Sequence, residues 1–413
     1  MRTFGMGIVG AGRIFEQHAQ AYASLGARAR LLAIADVDQG QLLKATARSF
    51  IPYTYQDHRA LLERDDVEVV TVCTPPALHE RVVVDALEAG KFVLCEKPLA
   101  HTLDAADRIL AVARRWPGKL STVYQFRYLP EVQRTLWLRD QGRLGRLMFG
   151  RFSRYARFET PARTGKSGKT AKPAKVRTDW WGRWGTAGGG EVMTQLIHEI
   201  DLMCHLFGRA IEVTAAIDTL KQPIESEDTC AATVRFESGA LVCCYGTMTA
   251  HRSSSAFDVV GELGSVHSPW ALECMDSTWR DESMRAVLTV HPLAAERSSV
   301  PAGWAAALRG RFRRGGARQT PSANSHTPYV AAVLDAIAEG RRLPIGPEEA
   351  RASLEICTAI YASALTRQPI SLPLDSTTRC YTGLTTNDYD GRERRRVQTG
   401  GTSTERSVSG MRR

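Results

Sequence analysis

The sequence predicts an α/β protein of two domains: a parallel, helix-connected sheet, then an α+β unit built on a large, mostly antiparallel open sheet. Three observations lead there. Short apolar runs alternate with helical stretches through residues 4–125, the pattern of repeated βαβ units. After about residue 126 that alternation gives way to successive strand-like runs. A chain of 413 residues also exceeds what one core ordinarily organises. The expected units are 1–125, 126–380 and a basic, disordered tail over 381–413, where apolar residues are sparse and four arginines fall within 392–396.

Each element has a local reason. "FGMGIVGAG" reads as a first strand, "IFEQHAQAYASL" as a helix, "RLLAIADVD" as a second strand and "GQLLKATARSF" as a second helix. "VEVVTVCTPP" is an unbroken apolar run, which suits a strand buried on both faces. "LHERVVVDALEAG" follows as a helix whose Gly90 suits the left-handed position beyond a C-terminus. "KFVLCEKP" is a strand, "LDAADRILAVARRW" a helix closed by Pro117 and Gly118, and "KLSTVYQFR" a further strand. In the second unit "RLMFGRFSRY", "IEVTAAID", "DTCAATVRFESGALVCCYGTMTA" and "AFDVVGELGSVHS" read as successive strands, with "ESG" as a tight hairpin connection. "TPYVAAVLDAIAEG" and "PEEARASLEICTAIYASAL" supply late helices.

Composition narrows the function classes. No apolar stretch is long enough to span a bilayer, and the N-terminus runs directly into a strand without an export signal. The nine cysteines are scattered and lack metal-ligand spacing, so the expectation is buried thiols in a reducing cytoplasm and no metal. The net charge of +10 is concentrated in 161–177, 308–318 and the tail. Residues 161–177 carry six basic residues and no acid, and 308–318 carry five and no acid. The remainder is slightly acidic, so solvated loops are expected rather than a nucleic-acid surface.

Gly10 and Gly12 lie between the first strand and its helix, where missing side chains let backbone amides and a helix N-terminus approach a pyrophosphate. Arg13 and Ile14 begin that helix and join the candidate cofactor contacts. The second strand ends in Asp36, a carboxylate able to accept from both ribose hydroxyls of an adenosine. Its charge would repel a 2′-phosphate, so NAD is expected over NADP. Phe15 occupies the third fingerprint position in place of a small residue.

"VCTPPALH", "KFVLCEKPLA", "DWWGRWGTAGGG", "GGGEVMTQLIHEIDL" and "GELGSV" occur in an order that resembles the glucose-fructose oxidoreductase and inositol dehydrogenase family, Gfo/Idh/MocA, over about residues 4–375. The resemblance implies a Rossmann domain and a C-terminal domain whose open sheet usually mediates homodimers or homotetramers. It also implies hydride transfer between a nicotinamide and a sugar, cyclitol or related hydroxyl. By the same resemblance, Thr74, Pro75, Pro76 and His79 lie along the cofactor, and Glu96 lies near the nicotinamide ribose. Gln125 joins the cofactor set. Lys97 stands beside the reacting carbon, with a cis Lys97–Pro98 bond. His198 and Asp201 match the H-x-x-D of a helix lining the substrate cleft, and Arg127 matches an arginine at the domain junction.

The residue chemistry agrees. Oxidising a secondary alcohol removes a hydride and a proton, so the site needs a proton acceptor and a cation for alkoxide character. Lys97 can supply the cation and, if desolvated, a lowered pKa. His198 can take the proton near neutral pH. Asp201, one helical turn on, can orient the imidazole or bind a substrate hydroxyl. Arg127 can bridge the domains or touch substrate. Trp181, with Trp180 and Trp184, can stack on a sugar ring or simply pack. Thr194 and Leu196 stand where many family members have Asp and Gly, which places the substrate rather than the cofactor in question. Two other readings remain open: an NAD-binding sensor or structural subunit with little turnover, and a nucleic-acid-associated protein using the basic segments.

Overall fold

The computed structural model describes residues 2–158, 180–270, 287–290 and 325–391, without the side chains of 268–270 and 287–290. Its first unit is a six-stranded sheet of β1 (Phe4–Val9), β2 (Ala29–Ala35), β3 (Tyr53–Tyr55), β4 (Val69–Val72), β5 (Phe92–Glu96) and β6 (Leu120–Val123). The order is β3-β2-β1-β4-β5-β6 and every pair is parallel. Helices α1 (Phe15–Leu25), α2 (Gln39–Arg48), α3 (His58–Leu62), α4 (His79–Glu88) and α5 (Leu103–Ala113) make the connections. The Asp38 carboxylate caps α2 by accepting from Gly40 N and Gln41 N, and the Thr102 hydroxyl caps α5 by accepting from Ala105 N. Strand order reverses between β1 and β4, and ligands of doubly wound sheets collect at the carboxyl ends beside that point. β3 and α3 escaped the sequence reading because three and five residues are too few to show a period.

The strand expected to run through Arg127 stops at Val123. Gln125–Tyr128 instead form a 3-10 turn, which leads into α6 (Pro130–Asp140). The second sheet has eight strands: β7 (Leu147–Arg157), β8 (Ala210–Asp218), β9 (Thr229–Phe236), β10 (Leu241–Thr247), β11 (Thr249–Gly261), β12 (Gly264–Trp270), β13 (Val287–Val290) and β14 (Ile370–Ser371). The order is β13-β12-β11-β7-β10-β9-β8-β14, antiparallel except for β7 with β10. Gly239 at φ +85° makes the hairpin between β9 and β10. The "AFDVVGELGSVHS" run is itself a hairpin, β11 into β12.

Helices α7 (Trp184–Ala187), α8 (Ile197–Phe207), α9 (His326–Ala338) and α10 (Pro347–Thr366) complete the fold. α8 and α10 pack on one face of the second sheet. The other face exposes Phe149, Tyr155 and Leu241. α9 returns to the first unit, packing on α1, and Tyr329 donates from its hydroxyl to Ser121 Oγ at 2.9 Å. The expected unit 126–380 therefore does not confine itself to the second sheet.

Residues 381–391 correct the expectation of a disordered tail from 381. Tyr381, Leu384 and Tyr389 are buried. The Tyr389 carbonyl accepts from Trp184 Nε1 at 3.0 Å, and its hydroxyl bonds Thr219 Oγ1 at 2.8 Å. Low average apolarity concealed three anchoring side chains. Residues 392–413 and the basic stretches 161–177 and 308–318 lie outside the described residues.

Candidate active site

Gly10 has φ +105°, and a Cβ there would come within 2.6 Å of the Cys73 carbonyl oxygen, so only glycine lets β1 turn against the end of β4. Asp36, at the end of β2, accepts from Ala11 N at 2.7 Å through one carboxylate oxygen and from Asp38 N at 2.8 Å through the other. The acid thus braces the glycine loop at the strand-order reversal. The Thr74–Pro76 loop follows β4, and the fully buried His79 ties it down. Its Nδ1 is 2.9 Å from the Pro98 carbonyl and its Nε2 is 2.9 Å from the Thr74 carbonyl. His79 therefore positions two loops, and its ring nitrogens are occupied by backbone rather than left for a cofactor.

Glu96 ends β5 inside the protein. His18 of α1 reaches its Oε1 at 2.8 Å, and His326 Nε2 of α9 lies 3.6 Å from the same oxygen. Burial would raise this carboxyl, but the two histidines outweigh it and hold it well below the usual carboxylate range. Among the described residues, His18, Glu96 and His326 are the one grouping of metal-ligand type, with ligand atoms within 4.8 Å of one another. The 2.8 Å separation is that of a hydrogen bond between two of them.

Lys97 comes next, with a cis bond to Pro98. The side chain is partly buried, and its Nζ donates to the Thr194 carbonyl at 2.6 Å. Burial pulls its pKa down to about 8, with Glu96 pulling the other way and Arg154 adding to the fall. Thr194 sits in a π-helical turn, Val192–Leu196, that precedes α8. Its hydroxyl donates to the Gly190 carbonyl at 2.7 Å, so its side chain is spent locally. Gly190 must be glycine here, because a Cβ would lie 1.7 Å from the Glu227 carbonyl oxygen.

His198 stacks on Phe126 with centroids 4.2 Å apart and meets Tyr124 edge-on at 6.3 Å. Its Nδ1 is buried without a hydrogen-bond partner. Burial, reinforced by Lys97 and Arg154, holds the imidazole well below its ordinary pKa. A ring held toward its neutral form is a weaker base than a free imidazole. Asp201 does not orient the imidazole. It takes both Nε and Nη2 of Arg127, at 2.8 and 2.7 Å, while Arg127 Nη1 reaches Glu349 at 2.5 Å. Asp201 and Arg127 are 1% and 4% exposed. Of the two roles open to Arg127, the structure gives bridging, and the substrate-binding assignment of the pair is corrected. Trp184 is core, 1% exposed, whereas Trp181 is half-buried and stacks on Phe158 at 4.7 Å.

The comparisons follow this architecture. Residues 4–124 match the oxidoreductase family with an NAD-binding Rossmann fold, and residues 133–267 match the GFO/IDH/MocA C-terminal domain. The chain belongs to the GFO/IDH/MocA oxidoreductase family. It is 23% identical to levoglucosan dehydrogenase of Pseudarthrobacter phenanthrenivorans, over 64% of this chain and 73% of that one. It is 28% identical to the uncharacterized oxidoreductase YrbE of Bacillus subtilis, over 63% and 72% of the two chains. The WlbA dehydrogenase from Bordetella pertussis, solved with NADH and UDP-GlcNAcA, has the same fold. Its TM-score is 0.73 at 24% identity, covering 91% of this chain and 99% of that one.

As a GFO/IDH/MocA oxidoreductase the chain has to accept a dinucleotide, and its residues fit one. Gly10 keeps the loop after β1 free of a side chain and close against the Thr74 loop after β4. Thr74 Oγ1 and Gln125 Oε1, following β4 and β6, are buried polar atoms without partners. Val37 and Leu78, exposed apolar residues after β2 and β4, were missed by the sequence reading. So was Arg154, although period-two alternation along β7 places it on the buried side with Phe152. His18 and His326 were also missed, since no local motif announces a contact 78 or more residues away.

Proposed function

We propose that the protein is an NAD-dependent dehydrogenase of a sugar, cyclitol or nucleotide-sugar hydroxyl, working in the cytoplasm, with Lys97 handling the proton. The observation that carries this reading is the Lys97 ammonium, pulled down to about 8 at the carboxyl end of β5 and held toward the π-helical turn. A lysine with that pKa is partly neutral at mildly alkaline pH and can accept the proton of a bound alcohol. Once protonated it places a cation beside the oxygen. The neutral His198, with its unpartnered Nδ1, hydrogen-bonds the same substrate and fixes its orientation. Glu96, ionised by its histidine partners, sits one residue before Lys97 and favours the charged amine.

NAD bound along Gly10, Gly12, Thr74 and Gln125 would supply the hydride acceptor. Asp36 favours a free adenosine ribose, hence NAD over NADP. Val37 and Leu78 offer apolar contact for the adenine. The exposed Phe149, Tyr155 and Leu241 face supports a homodimer or homotetramer through the second sheet. NADH formation from a panel of sugars, cyclitols and nucleotide sugars tests the reading, with Lys97→Met as control. Equal turnover by that variant would remove Lys97 from the chemistry.

A further inference from the structure

Arg154 is a cation near Lys97 and His198 that the proposed reaction does not use. It projects from β7 toward α8 and is 8% exposed. Its guanidinium carbon lies 5.3 Å from the centroid of Phe126, the ring that stacks on His198 at 4.2 Å. The same aromatic ring therefore contacts both this cation and the imidazole. Nη1 donates to Ser255 Oγ at 3.0 Å and Nη2 to Gln195 Oε1 at 3.3 Å. Gln195 neighbours Thr194, whose carbonyl holds Lys97. Nε is out of water and has no hydrogen-bond partner among the described residues.

The guanidinium has no hydrogen-bonded carboxylate among the described residues. Among the described residues its carboxylate partner is Glu199, whose Oε1 forms an ion pair 3.6 Å from Nη1, outside hydrogen-bond range. Neither Glu199 nor Glu191 hydrogen-bonds the guanidinium. Burial pushes both carboxyls above their ordinary pKa, with Arg154 pulling the other way. Lys97 adds a second cation when protonated. A buried guanidinium without a hydrogen-bonded anion is costly, and a ligand carboxylate docking on its Nε and Nη2 edge relieves that cost with two parallel bonds.

We propose that Arg154 is a specificity-determining anchor for a sugar acid, binding a carboxylate carried close to the carbinol carbon that is oxidised. This rests on the dehydrogenase reading for the reaction, and on the geometry above for the anion. A diphosphate at the far end of a nucleotide sugar does not meet this requirement, because Arg154 lies at the His198 end of the site.

The test is calorimetric binding to the NADH-loaded protein of D-glucuronate against D-glucose, and of D-galacturonate against D-galactose, with glucose 1-phosphate as a second anion. NADH formation is measured on the same sugars. In wild type at least one acid is expected to bind tenfold or more tightly than its neutral partner. Arg154→Met is expected to erase that advantage without weakening NADH binding, which also reports a folded site, and Arg154→Lys to restore part of it. Loss of acid and neutral sugar alike in Arg154→Met, no difference within either pair including no binding at all, or preference for glucose 1-phosphate over the acids would overturn the anchor. Arg154-dependent acid binding without oxidation of any sugar would sink the dehydrogenase reading and leave the anchor standing. Oxidation of neutral sugars as efficiently as of acids would do the reverse.

Discussion

Lys97 Nζ donates to the backbone carbonyl of Thr194, 2.6 Å away and 97 residues on, joining the end of the cofactor sheet to the turn that carries His198. Because the bond uses a carbonyl, position 194 serves Lys97 without a side-chain carboxylate. Lys97→Met is expected to lower kcat/KM by about 10²–10⁴-fold, the usual worth of a proton-transfer group. Thr194→Val, which keeps the carbonyl, is expected to cost far less. Steady-state kinetics on both variants, with NAD binding checked separately, decide the point.

The proposed preference for NAD over NADP rests on Asp36. Asp36→Ala removes the charge that would face a 2′-phosphate, and the NADP-to-NAD affinity ratio is expected to rise by about tenfold or more. Fluorescence titration with both reduced cofactors measures it. A wild type that binds NADPH more tightly than NADH would overturn the assignment.

The Arg127–Asp201 pair is a framework contact. Asp201→Ala leaves a buried guanidinium with only Glu349 at the margin, and breaking such a pair costs about 3–5 kcal/mol. Denaturant unfolding should register that loss, and replacing both partners together by apolar residues should recover much of it. A midpoint unmoved by Asp201→Ala would mean the pair contributes nothing to the fold.

The packed segment after Cys380 is a stability element. Truncation after Gly391 is expected to leave the melting temperature nearly unchanged, whereas Tyr389→Ala removes a buried ring and its hydroxyl's hydrogen bond to Thr219, leaving the backbone carbonyl that accepts from Trp184. Its cost is put at about 3 kcal/mol or more, as for other buried aromatics. Equal melting of Tyr389→Ala and wild type would return this segment to the tail.

Much of this was legible in the sequence, for identifiable reasons. Gly10, Asp36 and Lys97 sit at strand ends, where local pattern alone fixes position, and Gly90 at φ +75° closes α4 as its place in the sequence implied. Arg154, His18 and His326 were not legible, because their meaning lies in contacts between segments far apart in the chain. Asp201 misled because helical spacing put it one turn from His198, while the tertiary partner Arg127 took both its oxygens. His198 misled for a related reason. Its ordinary pKa suits a base, but burial between Phe126 and Tyr124 beside two cations pulls that pKa down.

Glu227 offers a check on the buried acids below the π-helical turn. It accepts from Gly190 N and Val192 N, and burial raises its pKa from 4.5 to about 7. A raised carboxyl pKa means the folded state holds the proton more tightly. Its stabilising contribution is full below 4.5 and is lost as pH rises to about 7. The stability difference between Glu227→Gln and wild type should therefore change across that window and stay level above it. A pH-independent difference would place the Glu227 pKa elsewhere.

The central claim is that Lys97 takes the proton, and the pH dependence of kcat/KM for alcohol oxidation tests it most directly. Because the lysine must be neutral to accept, the rate should climb about tenfold per pH unit on the acid side and level off above about 8. A profile flat across that value, or the same limb persisting in the residual activity of Lys97→Met, would contradict it.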